Sequence, residues 1–231
     1  MSTAIVTGAA GGLGGRIGER LAAAGHELLL VDLDPAVSQI GFAQGARAVV
    51  ADLTSPEGVE AVLAAAGDDV AVLVNNAGIT RDARATKMSE ADFAAVIEIN
   101  LVAAMRLTLA LEPRYRDGAA VINMSSRASL GNFGQANYSA SKAGLVGFAR
   151  ALGQRWAPRV RVNAVAPSLV DTPMTQAMPP AVLEKMIGRI PAGRIGTPDD
   201  VAGIVAFLAS PAAGYITGQV IYACGGRSVA P

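Results

Sequence analysis

Short β-branched and aliphatic runs alternate along this chain with longer alanine-rich stretches whose apolar residues recur at helical spacing. Ala4-Ile5-Val6 comes first, followed by a glycine-rich loop and a helix-like stretch through Ala24. Leu28 to Val31 runs into Asp32 and a short connection; Ala48 to Val50 precedes Asp52 and a further helix. Val70 to Val74 ends at Asn75-Asn76-Ala77-Gly78, and a long helical stretch over about 90–112 leads to Ala120-Val121-Ile122-Asn123. A helix around Tyr138 follows, then Val160 to Val165, a proline-rich segment, a helix near 198–209, and Gln219 to Tyr222. Strands that are apolar throughout, separated by helices, predict a parallel sheet covered on both faces. No linker, repeat or low-complexity block interrupts the pattern. It therefore predicts one α/β domain over residues 1–231, with about seven strands in a doubly wound sheet.

The least regular stretch runs from Pro167 to Pro198 and contains Pro173, Pro179, Pro180 and Pro191. Leu183, Met186, Ile187 and Ile190 fall at helical spacing within it, which predicts a short amphipathic helix between proline breaks. The segment follows the C-terminal end of a strand, where open α/β sheets bind ligands. A substrate lid over about 168–197 is the expectation, with ordinary surface packing as its alternative. Met174, Met178, Leu183 and Met186 suit an apolar substrate and equally suit a core.

Composition narrows the function classes. Net charge is zero and the basic residues are scattered, so no electrostatic footprint for nucleic acid or an anionic membrane is present. Apolar residues make up 52% of the chain, yet no uninterrupted apolar run approaches the ~20 residues of a membrane span. The N-terminal residues enter a strand-like run at once, without the basic and apolar regions of a signal peptide. A cytoplasmic protein is expected. Cys224 is the only cysteine, which excludes an intrachain disulfide and a cysteine-based metal cluster. His26 is the only histidine and sits in a Gly25-His26-Glu27 turn, where an exposed loop residue is expected. No metal site is predicted.

Thr7-Gly8-Ala9-Ala10-Gly11-Gly12-Leu13-Gly14 lies between the first strand and the first helix. Glycines there allow a tight turn and close approach of a pyrophosphate, while the helix N-terminus points donors at the anion. The strand–loop–helix context is the one a Rossmann dinucleotide fingerprint requires. Asp32 follows the second strand, about twenty residues beyond the loop, where a carboxylate can accept both adenosine-ribose hydroxyls. It would repel a 2′-phosphate, and no arginine or lysine stands beside it. NAD(H) is predicted over NADP(H).

Tyr138-Ser139-Ala140-Ser141-Lys142 places a phenol and an ammonium four residues apart, on one face of a helix. A free phenol, with a pKa of about 10, exchanges protons poorly near neutrality. A nearby cation stabilises the phenolate, which would make Tyr138 a general acid/base. The pair alone is weak evidence, since such spacing also arises on exposed helix faces.

Together these residues resemble the short-chain dehydrogenase/reductase family, over essentially the whole chain. Gly8, Gly12, Leu13 and Gly14 lie in what looks like its cofactor loop, Asp52 and Leu53 look like its adenine-contacting pair, and Asn76, Ala77 and Gly78 like its post-strand turn. Asn100, Ser126, Tyr138 and Lys142 look like its catalytic tetrad. Pro167, Val170 and Thr172 match the segment that meets the nicotinamide carboxamide, with Ser168 where glycine is usual. The resemblance implies that Ser126 hydrogen-bonds the substrate oxygen and Tyr138 exchanges a proton with it. Lys142 would hold the nicotinamide ribose and depress the Tyr138 pKa, and Asn100 would position a water linking Lys142 to solvent. Hydride would pass between the cofactor and a substrate carbon.

The spacing from Ser126 to Tyr138 is one residue shorter than is common in the family, which leaves Ser125 as the alternative. Aligning Val121 to Met124 as the strand selects Ser126. The turns around Asn76 and Tyr138 resemble the subgroup of 3-oxoacyl-(acyl carrier protein) and acetoacetyl-CoA reductases, which generally uses NADPH, in conflict with Asp32. The chief expectation is an NAD(H)-dependent enzyme for a small-molecule secondary alcohol or ketone, including 3-hydroxyacyl and 3-oxoacyl thioesters. An NADPH-dependent 3-oxoacyl-thioester reductase and a non-catalytic dinucleotide-binding scaffold are the alternatives. Arg127 could meet a substrate carboxylate or phosphate, a backbone carbonyl or a neighbouring subunit. Cys224 is expected to be a small buried residue. The resemblance also implies a homotetramer.

Overall fold

The computed structural model describes residues 2–176 and 178–229; Ala177, within the expected lid, lies outside them, as does the side chain of Met174. Seven strands, β1 (Thr3–Thr7), β2 (Glu27–Asp32), β3 (Arg47–Val50), β4 (Val70–Asn75), β5 (Tyr115–Met124), β6 (Val160–Pro167) and β7 (Val220–Ala223), form one sheet in the order β3-β2-β1-β4-β5-β6-β7. Every pairing is parallel. The winding direction reverses between β1 and β4, which opens a crevice above their carboxyl ends. β1, β4 and β6 are buried at every position, so their sequences carry no polar alternation. Successive residues nevertheless point to opposite faces. Ala4, Val6, Leu28, Leu30, Val72 and Val74 join one core, and Ile5, Leu29, Val31 and Leu73 join the other.

Among the described residues there are nine α-helices, most of them covering these faces: α1 (Gly12–Ala23), α2 (Ala36–Ala43), α3 (Pro56–Ala66), α4 (Glu90–Ile97), α5 (Ala103–Ala110), α6 (Ala136–Trp156), α7 (Pro173–Gln176), α8 (Pro180–Ile187) and α9 (Pro198–Ala209). Ile17 and Leu21 of α1 meet Val201, Val205 and Leu208 of α9 on one side; Val59, Val62, Leu107, Ala149 and Leu152 fill the other.

Four features depart from the sequence reading. The short connection after Asp32 contains α2, started by the Asp34 carboxylate accepting the Ala36 N–H at 2.9 Å. β5 begins at Tyr115, earlier than its aliphatic run suggests. The long stretch before it is broken by a π turn, Glu98–Val102. His26 is half-buried against Ser2 at 3.3 Å rather than freely exposed, and burial lowers its pKa. By length and composition Glu90–Ala110 could cross a membrane; here it packs beside α3 and α6.

Candidate active site

A cleft of about 550 Å³ lies above the ends of β1, β2 and β4, lined by Gly8, Gly12, Leu13, Gly14, Asp32, Asp52, Leu53, Asn76, Ala77 and Gly78 among others. Its floor explains the glycines. Gly8 has φ +66, and a Cβ there would stand 2.8 Å from the Ala77 Cα. A Cβ on Gly14 would meet the Gly8 carbonyl at 2.2 Å, whereas one on Gly12 would meet nothing within 4 Å. Two glycines thus let backbone pack on backbone, and the third leaves room for a ligand. Asn76 braces the loop, its Nδ2 donating to the carbonyls of Thr7 at 3.1 Å and Gly8 at 3.0 Å. The Thr7 hydroxyl accepts the N–H groups of Asn76 and Ala77.

The first turn of α1 faces this cleft without a cap of its own. Ser55, Ser89 and Thr197 each accept a backbone N–H at the start of their helices. Gly11 at the same position of α1 offers no side chain, and no acid occupies the first turn. Those orphan donors suit an anion such as a pyrophosphate. A dinucleotide therefore fits the residues present: an uncapped helix end, a loop cleared of Cβ atoms and a carboxylate at the far wall.

Asp32 is that carboxylate. Its Oδ2 accepts the Ala10 N–H at 2.9 Å and its Oδ1 the Asp34 N–H at 3.0 Å. An ionised carboxylate accepts about four hydrogen bonds, so acceptor capacity remains for ribose hydroxyls. No arginine or lysine lines the cleft among the described residues. Asp52 is more committed: Oδ1 takes both the N–H and hydroxyl of Thr54, which lowers its pKa.

A second pocket of about 330 Å³ adjoins the first, with Leu13, Asn76 and Thr172 lining both. Ser126, Tyr138, Lys142, Pro167 and Val170 line it. The buried face of α6 runs through Ser141, Lys142, Leu145, Ala149 and Leu152, so helical spacing alone drives Lys142 inward. Lys142 is only 4% exposed. Its Nζ donates to the Met124 carbonyl at 2.8 Å and stands 5.5 Å from the centre of the Tyr138 ring. Burial lowers its pKa from 10.5 to about 8.

Tyr138 titrates in the direction opposite to the expectation. Burial raises its pKa, the Ser126 hydroxyl offsets part of that rise, and the Asp82 carboxylate adds to it. The Lys142 ammonium lies over the Tyr138 ring and donates to the Met124 carbonyl rather than to the phenol oxygen. The phenol is therefore held protonated near neutrality.

The two serines separate cleanly. The Ser125 hydroxyl donates to the Lys142 carbonyl at 2.8 Å, inside the protein. Ser126 accepts the Ala128 N–H at 3.1 Å and faces the Tyr138 hydroxyl. Asn100, fully buried in the π turn, clasps a neighbouring segment: Oδ1 accepts the Ile79 N–H at 2.8 Å, while Nδ2 donates to the Ile79 carbonyl and the Ser141 hydroxyl. It also reaches the neighbourhood of Lys142, since a Cβ on Gly78 would be 3.1 Å from Asn100 Oδ1 and 3.4 Å from Lys142 Nζ. π turns are enriched at functional sites for this kind of local re-aiming.

On the lid side, Met178 and Met186 line the pocket, while α8 has no buried residue. A bridge between Val170 and Gly196 ties the two ends of the segment together. Ser168 occupies its glycine-like position without strain, since no described non-glycine residue has positive φ. Arg127 lines the pocket, as does Arg227, which the sequence reading passed over. Its only sequence signal was the Gly225-Gly226 turn before it. Cys224 is buried, as expected.

A nucleotide-shaped cleft opening onto a hydroxyl, a phenol and an ammonium defines a nucleotide-dependent oxidoreductase of carbonyl and hydroxyl groups. The family model described as enoyl-(acyl carrier protein) reductase matches residues 8–228. The 3-oxoacyl-(acyl carrier protein) reductase of Vibrio cholerae is 39% identical, covering 96% of each chain. An acetoacetyl-CoA reductase of Shinella zoogloeoides is 41% identical, covering 97% of each. The crystal structure of a Brucella melitensis short-chain dehydrogenase/reductase of glucose/ribitol dehydrogenase type superimposes with a TM-score of 0.94 at 33% identity, covering 98% of this chain and 96% of that one. The chain belongs to the short-chain dehydrogenase/reductase family.

Proposed function

We propose that the chain is an NAD(H)-dependent oxidoreductase that interconverts a secondary alcohol and a ketone, with Tyr138 as the proton carrier. The observation behind this reading is that Ser126, Tyr138 and Lys142 share one pocket which opens directly onto the glycine-floored cleft. Ser126 hydrogen-bonds the substrate oxygen, and Tyr138 gives that oxygen a proton in reduction or takes one in oxidation. Lys142 presents its ammonium to the ribose beside the phenol, and Asn100 keeps the Ile79 segment and α6 in register around it. Pro167, Val170 and Thr172 form the wall for the nicotinamide carboxamide. The cofactor, when bound, supplies or accepts the hydride. A phenol held protonated by burial carries the proton that a developing alkoxide takes up in reduction. Asp32 supports NAD(H), because a 2′-phosphate would sit against a carboxylate with no cation in the cleft lining.

The relatives favour a second reading: an NADPH-dependent reductase of 3-oxoacyl thioesters, the class named for the Vibrio cholerae and Shinella zoogloeoides proteins. An absorbance assay of nicotinamide oxidation and reduction decides between them. Both cofactors would be run in both directions, against acetoacetyl-CoA, cyclic ketones, polyols and steroids. Higher kcat/KM with NADH is expected. A preference for NADPH of about tenfold or more, roughly 1.4 kcal/mol, would assign the second reading. The same family membership carries the expectation of a cytoplasmic homotetramer, which sedimentation of the purified chain would check for assembly.

A further inference from the structure

The catalytic pocket holds more positive charge than proton transfer uses. Lys142, Arg127 and Arg227 all line it, and no acidic residue does among those described. Arg127 directly follows Ser126 and opens a short 3-10 turn, Arg127–Leu130. Its Nε is buried without a hydrogen-bond partner. Arg227 approaches from the turn after β7, where one guanidinium nitrogen donates to the Ser168 hydroxyl at a long 3.4 Å. Arg16, Arg20, Arg81, Arg106, Arg116, Arg159 and Arg194 each have a carboxylate within ion-pair reach, while the other unpaired arginines lie outside this pocket. Among the described residues, no carboxylate stands within that reach of Arg127 or Arg227.

Such an arrangement is unfavourable by itself. A buried donor without a partner keeps its full desolvation cost, and two like charges across a small pocket repel. Burial, then the charges of Arg127 and Arg189, push the Arg227 guanidinium below its usual pKa. An oxyanion between the two guanidiniums would accept from their terminal N–H groups and reverse the sign of the interaction.

We propose that Arg127 and Arg227 form an oxyanion subsite beside Ser126 and Tyr138, and that the substrate is a hydroxy or keto compound carrying a carboxylate a few bonds from its reacting carbon. The proposal rests on the alcohol–ketone reading above. It departs from the neutral acyl group of a simple 3-oxoacyl thioester. A pocket of about 330 Å³ that also contains the proton carrier holds the anion close to the reacting carbon. The phosphates of a thioester carrier are separated from the reacting carbonyl by the whole length of the pantetheine arm.

The test compares acetoacetate, its methyl ester and acetoacetyl-CoA as substrates of the full chain with NADH. Acetoacetate should exceed the methyl ester in kcat/KM by about 10- to 100-fold, as expected for charge-assisted hydrogen bonds, with the difference carried by KM. That preference should collapse in Arg127→Met and in Arg227→Met, and return in part in Arg127→Lys. A measurement without turnover runs beside it: malonate should raise the thermal midpoint of the NADH-bound wild type and of the surface variant Arg84→Met, but not of the two pocket variants. Equal use of acid and ester, with no malonate effect, would overturn the subsite. Preference for acetoacetyl-CoA that falls in both pocket variants would move the anion to a phosphate and overturn the carboxylate assignment. Malonate binding that depends on both arginines, with no turnover of any probe, would support the subsite while counting against the alcohol–ketone reading.

Discussion

At the nucleotide end of the cleft, the side chains that floor the loop are committed to one another, and only the uncapped α1 amides and part of the Asp32 carboxylate are left for a ligand. Thr7, Asn76 and Asp32 bond to loop amides and carbonyls, and close glycine contacts set the distances. In the second pocket, where the proposed proton transfer takes place, Tyr138, Lys142, Arg127 and Arg227 line one space, and the Arg127 Nε has no hydrogen-bond partner. The first region is therefore a shape, and its failures should be losses of packing or fit. The second is an unsatisfied charge distribution, and its failures should be kinetic while the fold survives. Burial has opposite uses in the two. It locks hydrogen bonds at the nucleotide end and shifts proton affinities in the second pocket.

The largest effect that would break this contrast is at Tyr138. Tyr138→Phe should lower kcat by about 10²- to 10⁴-fold, the usual worth of general acid–base catalysis, while NADH fluorescence titration still reports binding. Retained turnover would remove the phenol from proton transfer.

Next comes the glycine floor. Gly14→Ala forces a Cβ to within 2.2 Å of the Gly8 carbonyl and should cost about 1–3 kcal/mol or more in urea unfolding, as overpacking does. Gly12→Ala has open space and should leave the unfolding midpoint in place while weakening NADH binding. Equal destabilisation by both would mean that the loop is not held by backbone packing.

The serine pair sharpens the comparison within one dipeptide. Ser126→Ala should lose about one to two orders of magnitude in kcat/KM, the worth of a hydrogen bond to a charged oxygen. Ser125→Ala removes the bond to the Lys142 carbonyl and should show mainly a stability loss of about 1 kcal/mol. Loss of turnover in Ser125→Ala alone would exchange the two assignments.

The least direct effect is electrostatic. Lys142 has a folded pKa near 8 against 10.5 for the free group, so between those values the unfolded chain binds the extra proton. Stability should rise with pH across that window and be lower below it. Urea unfolding of the protein without cofactor would measure the rise, and Lys142→Met should lack it. A parallel slope in both proteins would place the titration elsewhere.

Much of this architecture was readable because it depends on local repetition. Apolar strands such as Val70 to Val74 show as short continuous apolar runs, and the amphipathic helices show by their periodicity. Tyr138 and Lys142 needed only a helix to meet, and Asp32 only a strand end. The π turn at Asn100 was not readable, since its amide is aimed by Ile79 and Ser141 from other elements. α2 was missed for a similar reason: a glycine-containing, weakly patterned stretch becomes helical against β2 and β3.

The chain's own order of residues determined a doubly wound α/β sheet, a phosphate-type glycine loop and a phenol–ammonium pair, because short apolar runs and helical spacing are properties of neighbours. Strand alignment selected Ser126, and tertiary structure showed Ser125 turned inward to the Lys142 carbonyl; tertiary structure alone decided that burial raises the Tyr138 pKa, and that Arg227 lines the same pocket as Arg127. Desolvation and charge proximity depend on what distant segments bring to one place, and no local pattern encodes that.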